Sequence, residues 1–342
     1  MKRFISFTFL ISFLLIHLVS CHKEEELYPA PQVAEGLQTQ TFEMGENYSN
    51  QLFFDFESQQ TATNEYGLWD IGLSCDGIPH AIICAGKNTN YSVARISGIP
   101  IENVKDINFK SLNWKYDDPK GNIDSNALSG CFTKVDLGYE GNPNEVFIVD
   151  LGSDSSIENR YIKLQFISAI GGNYQFKWGY VFDSIIQPVI LKTNESRNYV
   201  YYSFGKETEV ENEPVDNKNW DVVFTTYKDA IPDKNGVIYP YIIRGVLINP
   251  KKVEVAEVGD VIQFNDLTYA DAIQNTYSKT LNEIGYDWKE YDQDASKYTI
   301  VPNKYYLLKT NKENYFKLRF VDFYDDQGRK GFPKMAWELL NP

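Results

Sequence analysis

The 342-residue chain is expected to be mainly β, with antiparallel sheets and one or two short helices. Three observations predict this. The sequence holds 24 Tyr, 21 Phe and 6 Trp, residue types that favour pleated, half-buried surfaces. Its segments alternate in the strand manner: Tyr315, Lys317 and Arg319 fall on one face, and Phe316, Leu318 and Phe320 on the other. Similar strand-like runs also recur, in the same order, in the two halves. With 43% hydrophobic and 23% charged residues the composition is that of a folded chain, and its length fits two domains with cores of their own. A formal charge of −14 leaves no basic face for a phosphate backbone, which argues against nucleic acid as a partner.

In chain order, residues 1–20 read as a secretory signal. Lys2 and Arg3 give the positive start, and the apolar run from Phe4 to Leu18 is too short to span a bilayer, which takes about 20 residues. Leu18-Val19-Ser20-Cys21 resembles a bacterial lipobox, making Cys21 the lipid attachment site and the lipid the only hold on a membrane. His22, Lys23, Glu24, Glu25 and Glu26 follow, a cluster that resembles a surface-export signal of Bacteroidetes lipoproteins. The expected location is therefore the outer membrane, lipid-anchored and facing the cell surface. Residues 21–45, with Pro29, Pro31 and Gly36 and no periodicity, read as a tether.

Beyond the tether lies a weak duplication, with expected copies at 46–190 and 191–342. Tyr48 through Phe56 precedes Trp69-Asp70-Ile71-Gly72-Leu73, as Asn198 through Phe204 precedes Trp220-Asp221-Val222-Val223-Phe224. Trp114-Lys115 then matches Trp288-Lys289, and Glu145 through Val149 matches Lys304 through Leu308. Tyr161-Ile162-Lys163-Leu164-Gln165-Phe166 closes one copy and Tyr315-Phe316-Lys317-Leu318-Arg319-Phe320 the other. Asp70 and Asp221 recur at equivalent places, where an Asp beside a strand Trp reads as a structural hydrogen-bonder. One helix is expected in the second copy only. Tyr269, Ile273, Tyr277, Leu281 and Ile284 share a stripe, with Thr268 as cap, Asp271 in the first turn and Gly285 at the end.

Cys75, Cys84 and Cys131 remain once Cys21 carries lipid. Cys75 and Cys84 flank Asp76-Gly77-Ile78-Pro79, a turn that would set Cys75 against His80 and Cys84 against Ile71. Their sulfurs would then share a face about 13 Å apart, which forbids a bond. Buried thiols are the expected state, with a Cys75–Cys131 or Cys84–Cys131 bond left open.

The second half resembles the HmuY family of Bacteroidetes lipoproteins. The residues carrying this are Asn219 through Thr225, Tyr239-Pro240-Tyr241-Ile242 running into Gly245 through Pro250, and Tyr315 through Tyr324 followed by Gly328 and Lys330-Gly331-Phe332-Pro333. The first half shares only the Trp-Asp strand and the Tyr-Ile-Lys-Leu run. The resemblance implies two tandem HmuY-like domains and a non-enzymatic haemophore, binding haem or a related planar ligand beside an outer-membrane transporter. It also implies two histidine ligands, and here the chain departs from the pattern. His17 falls in the signal and His22 in the tether, leaving His80 alone in the folded region. His80 and Met335 are the candidate haem ligands, with Met44, a Cys thiolate or a Tyr behind them. Met335 between Phe332 and Trp337 also reads as core filler, and His80 after Pro79 as a turn residue. No metal-site spacing, Walker loop, HExxH, GxGxxG or GxSxG occurs, and no carboxylate pair stands out. The alternative function is a surface glycan- or protein-binding module that has lost haem ligation.

Overall fold

The computed structural model describes residues 36–342 except 106, 153–156, 215, 234, 260 and 261, together with the side chains of 157 and 158. The signal, Cys21, His22 and the tether up to residue 35 lie outside the described residues. Among these, no helix is long and apolar enough to cross a membrane. The protein is β-rich, with antiparallel pairing throughout.

Strands are stacked as two sandwiches. In one, a sheet of Gln187–Lys192, Asn173–Tyr180, Tyr161–Ile170, Glu145–Asp150 and Ser92–Ser97 covers a second sheet of Thr208–Val210, Tyr199–Ser203, Ile71–Ser74 and Ala81–Ile83. Their inner faces meet through Phe147, Leu164, Phe176 and Trp178 against Ile71, Leu73, Val200 and Tyr202. In the other, Gln38–Thr41, Lys330–Leu340, Tyr315–Tyr324, Lys304–Thr310 and Val253–Gly259 cover Ile238–Ile248, Val222–Pro232, Asn50–Phe54 and Thr61–Glu65. Here Leu308, Phe316, Leu318 and Trp337 meet Leu52, Phe54, Val222 and Phe224. Such alternation of inward apolar side chains holds each pair of sheets together.

The sequence repeat and the folded sandwich are different units. Gln38–Thr41 pairs with Lys330–Leu340, and Asn50–Phe54 pairs with Val222–Pro232. Reciprocally, Tyr199–Ser203 pairs with Ile71–Ser74. The leading strands of each copy thus complete the sandwich of the other, an exchange within one chain. Its registers correspond: Val222 sits opposite Phe54, as Ile71 sits opposite Tyr202. Asp70 and Asp221 tie the exchange down. Asp221 Oδ2 accepts the Phe56 amide at 2.7 Å, and Asp70 Oδ2 accepts the Phe204 amide at 2.7 Å. Both aspartates are the structural hydrogen-bonders that their place beside a strand Trp implied.

Several expectations are corrected. Gln38–Thr41, within the expected tether, is a paired edge strand. The helix starts at Thr268 with a capping box to Asp271, yet it ends at Gln274. Ser278 and Gly285 exchange backbone hydrogen bonds with Val255 and Val246 instead, which removes their amides from any helix. The hairpin after Asp70 is shifted by one residue. Ser74, rather than Cys75, lies against His80, and the Cys84 amide bonds the Asp70 carbonyl. Cys75 and Cys131 therefore join the inner core while Cys84 points to the outer side of the sheet; all three are free thiols.

Candidate functional site

Outer faces of the two inner sheets create the first cavity. Where Leu52 and Phe54 point into one core, Gln51 and Phe53 must point away from it. Tyr199 and Tyr201 likewise leave the other core to Val200 and Tyr202. These outward residues meet across a seam between the sandwiches. Phe53 packs edge-on to Trp220 at 5.1 Å on one side, and Trp69 lies 4.9 Å from Tyr201 on the other. The sandwiches close together at Gly86, where a Cβ would stand 2.7 Å from the Thr226 carbonyl oxygen. They enclose a cavity of about 400 Å³ whose wall also includes Tyr66, His80, Asp117, Glu213 and Lys228.

His80 is thus a cavity residue, held in a defined tautomer. Its Nδ1 lies 2.8 Å from the Ile78 carbonyl, which can only accept, so Nδ1 carries the proton. Nε2 then accepts from the Tyr199 hydroxyl at 3.1 Å. Neither methionine candidate joins it. Met335 is 0% exposed between the sheets of the other sandwich, opposite Gln40 and Phe320, and Met44 is buried in the same core. Cys84 shares the cavity, but burial pushes its thiol up to about 12, so it is no thiolate. Among the described residues, no group of three or more His, Cys, Asp or Glu could hold a metal ion.

A second cavity, of about 970 Å³, lies beside the long hairpin of Val222–Pro232 and Ile238–Ile248. Tyrosines dominate its wall: Tyr48, Tyr241, Tyr286, Tyr291, Tyr298 and Tyr324, with Phe323. Four basic side chains, Arg244, Lys289, Arg329 and Lys330, stand against three carboxylates, Glu46, Asp287 and Glu290. The Arg244 guanidinium lies 4.7 Å over the Tyr48 ring, and its buried Nε has no partner. Lys289 donates to the Arg244 carbonyl at 2.7 Å and sits 4.0 Å over Trp288; burial brings its ammonium down to about 7. Tyr48 is pushed up to about 12 and Tyr298 is also raised, both chiefly by burial, whereas Tyr241 and Tyr291 are 60% and 51% exposed.

Neither His80, Met335 nor Met44 lines this second cavity, and of the candidate ligand types only tyrosine does. Its signal was present in the chain: Tyr239-Pro240-Tyr241 and Tyr291 place large rings where alternation no longer demands core. Polar walls and aromatic rings of this size, in a volume typical of small-molecule sites, suit a planar ligand carrying negative charge.

Comparison with known proteins bears on this same region. Residues 195–337 match the HmuY protein family. The HmuY-like segment supplies the hairpin and most of the tyrosine-lined wall, and it also includes Tyr199–Ser203, a strand of the other sandwich. Less than half of the chain is matched, and the first half resembles the family only weakly. No curated protein matches the chain. Among solved structures, a putative HmuY-like haem-binding protein from Bacteroides vulgatus is 18% identical, covering 45% of this chain and 79% of its own, with a TM-score of 0.25. Apo PinO from Porphyromonas gingivitis is 9% identical over 90% of this chain and 99% of its own, at 0.27. The apo HmuY analogue from Tannerella forsythia is 11% identical over 90% and 98%, at 0.26. Superpositions this loose carry no argument of their own.

Proposed function

We propose that this protein binds haem or a related planar, anionic ligand in the tyrosine-lined cavity, without enzymatic turnover. The observation that carries the reading is the wall itself: six tyrosines with Arg244, Lys289, Arg329 and Lys330, within and beside the segment that matches the HmuY family. Aromatic faces would hold the macrocycle and the cations its carboxylates. Of the residue types that commonly ligate haem iron, only tyrosine lines this cavity, and Tyr241 and Tyr291 are its exposed members. A two-histidine grip does not fit these residues, because His80 lines the seam cavity instead. Lipid attachment at Cys21, surface display on the outer membrane and delivery to an outer-membrane transporter belong to the same proposal. The exposed hairpin tip of Val237, Ile238, Tyr239 and Tyr241 favours the alternative of a protein-binding module.

Haemin titration followed by absorbance tests the proposal. A saturable spectral change is expected, weakened about tenfold or more by Arg244→Ala and changed in shape by Tyr241→Phe with Tyr291→Phe. His80→Ala should leave it unaltered. Absence of a saturable change, or loss of it on His80→Ala alone, would sink the assignment.

A further inference from the structure

We propose that the seam cavity is a second ligand site, built for a small organic ammonium ion of the choline class. It stands apart from the tyrosine cavity in position and in sign of charge. Its walls include four rings in two contacting pairs, Phe53 with Trp220 and Trp69 with Tyr201, each pair rooted on a different sandwich. Aromatic rings attract a cation through their quadrupoles, most strongly where water is excluded. All four rings are buried.

Charge on the wall points the same way. Asp76, Asp117, Asp118 and Glu213 face the cavity against Lys228 and Lys251. Lys228 already donates to the Thr89 and Tyr91 carbonyls, at 3.0 and 2.7 Å, and Lys251 lies exposed at the mouth. Glu213 is 5% exposed and fixed in place, because the Asn198 and Tyr199 amides both donate to its Oε1, at 2.6 and 2.8 Å. Burial raises the Glu213 and Asp117 carboxyls to about 7, so the wall gains from a guest that brings positive charge. An anionic macrocycle would meet the wrong sign here.

Trp69 and Trp220, 9% and 6% exposed, are the largest rings of the lining. The volume of about 400 Å³ accommodates a guest of this size.

Choline titration, read by tryptophan emission and calorimetry, tests this. The control is the uncharged carbon analogue of choline, with the same shape and hydroxyl. Saturable binding of choline is expected, with the analogue at least about tenfold weaker. Glu213→Gln, which keeps shape and backbone acceptor, should weaken choline by a similar factor, and Asp117→Asn by less. Urea unfolding of each variant shows that the fold persists. Equal binding of choline and its analogue overturns the proposal. So does the absence of saturable binding by choline and by ethanolamine, or unchanged affinity in folded Glu213→Gln.

Discussion

Asp70 and Asp221 are equivalent residues of a duplicated sequence, and they do equivalent work in different surroundings. Each accepts the amide of a strand lent by the other copy. Asp70 also takes Ser203 Oγ at 3.2 Å and Lys87 Nζ at 2.6 Å, and the Lys87 side chain is 32% exposed. At the place corresponding to Ser203 the other copy has Asp55. Lys252 therefore serves two carboxylates, Asp55 and Asp221, with all three side chains buried. Burial pushes the Asp221 carboxyl up to about 7, aided by the nearby charge of Asp55. Asp55 in place of Ser203 gives one knot two carboxylates around a buried lysine, where the other has one carboxylate and a partly exposed lysine. Duplication conserved the geometry of the exchange while leaving its electrostatics free to diverge.

Removing the two lysines breaks the comparison most sharply. Lys252→Met strands two carboxylates away from water and should cost about 3–5 kcal/mol, read as a lower urea midpoint with unchanged slope. The loss should shrink on acidification, since protonation neutralises the stranded groups. Lys87→Ala should cost only about 1 kcal/mol, because Asp70 keeps its amide, hydroxyl and Tyr91 Oη donors and the lysine is partly solvated. Equal losses would mean that the two knots are energetically alike after all.

Much of this was legible in the chain because it is local. Alternation over Tyr315–Phe320 gives a strand whichever sheet receives it. Thr268 and Asp271 announce a helix start, as a capping box involves only four residues. The exchange between copies was not legible, for no pattern within Asn50–Phe54 says which copy's Trp-Asp strand it will join. One trace of the seam was visible. Leu52-Phe53-Phe54 and Val200-Tyr201-Tyr202 are unbroken apolar runs rather than alternating, and each is buried throughout, the mark of strands covered on both faces. Helix length failed where backbone pairing of Ser278 and Gly285 outweighed an apolar stripe. His80 and Met335 were separable only in three dimensions: one lines a cavity and the other fills a core.

A smaller effect separates the seam from the solvent face beside it. Glu213 titrates near 7 when folded, above its ordinary 4.5, because burial disfavours its charge. The folded protein therefore holds a proton that the unfolded chain has released. Its stabilising contribution is present below about pH 4.5 and is lost as pH rises towards and through 7, at up to about 1.4 kcal/mol per unit. Glu213→Gln should flatten that part of a stability–pH curve. Glu211→Gln should not, since the Glu211 side chain is exposed to solvent. A slope that survives Glu213→Gln would assign the proton to Asp117 or Asp221, which burial also raises to about 7, and Asp117→Asn would tell them apart.

The smallest difference is expected where the two copies are most alike. Trp69 and Trp220 each face the seam, each packs on a ring from the other copy's leading strand, and each leaves its indole N–H unpartnered. Replacing either by Phe removes some packed area but also removes a buried donor that was bonded to nothing. These terms oppose, so Trp69→Phe and Trp220→Phe should each cost about 1 kcal/mol or less, well below the usual price of truncating a buried aromatic. The double variant should be additive within about 0.5 kcal/mol, because the rings belong to separate clusters on separate sandwiches. Coupling beyond that would show the sandwiches reading one another through the cavity. Weak coupling in the empty protein, with strong coupling once choline is added, is the pattern a shared guest between the two copies would produce.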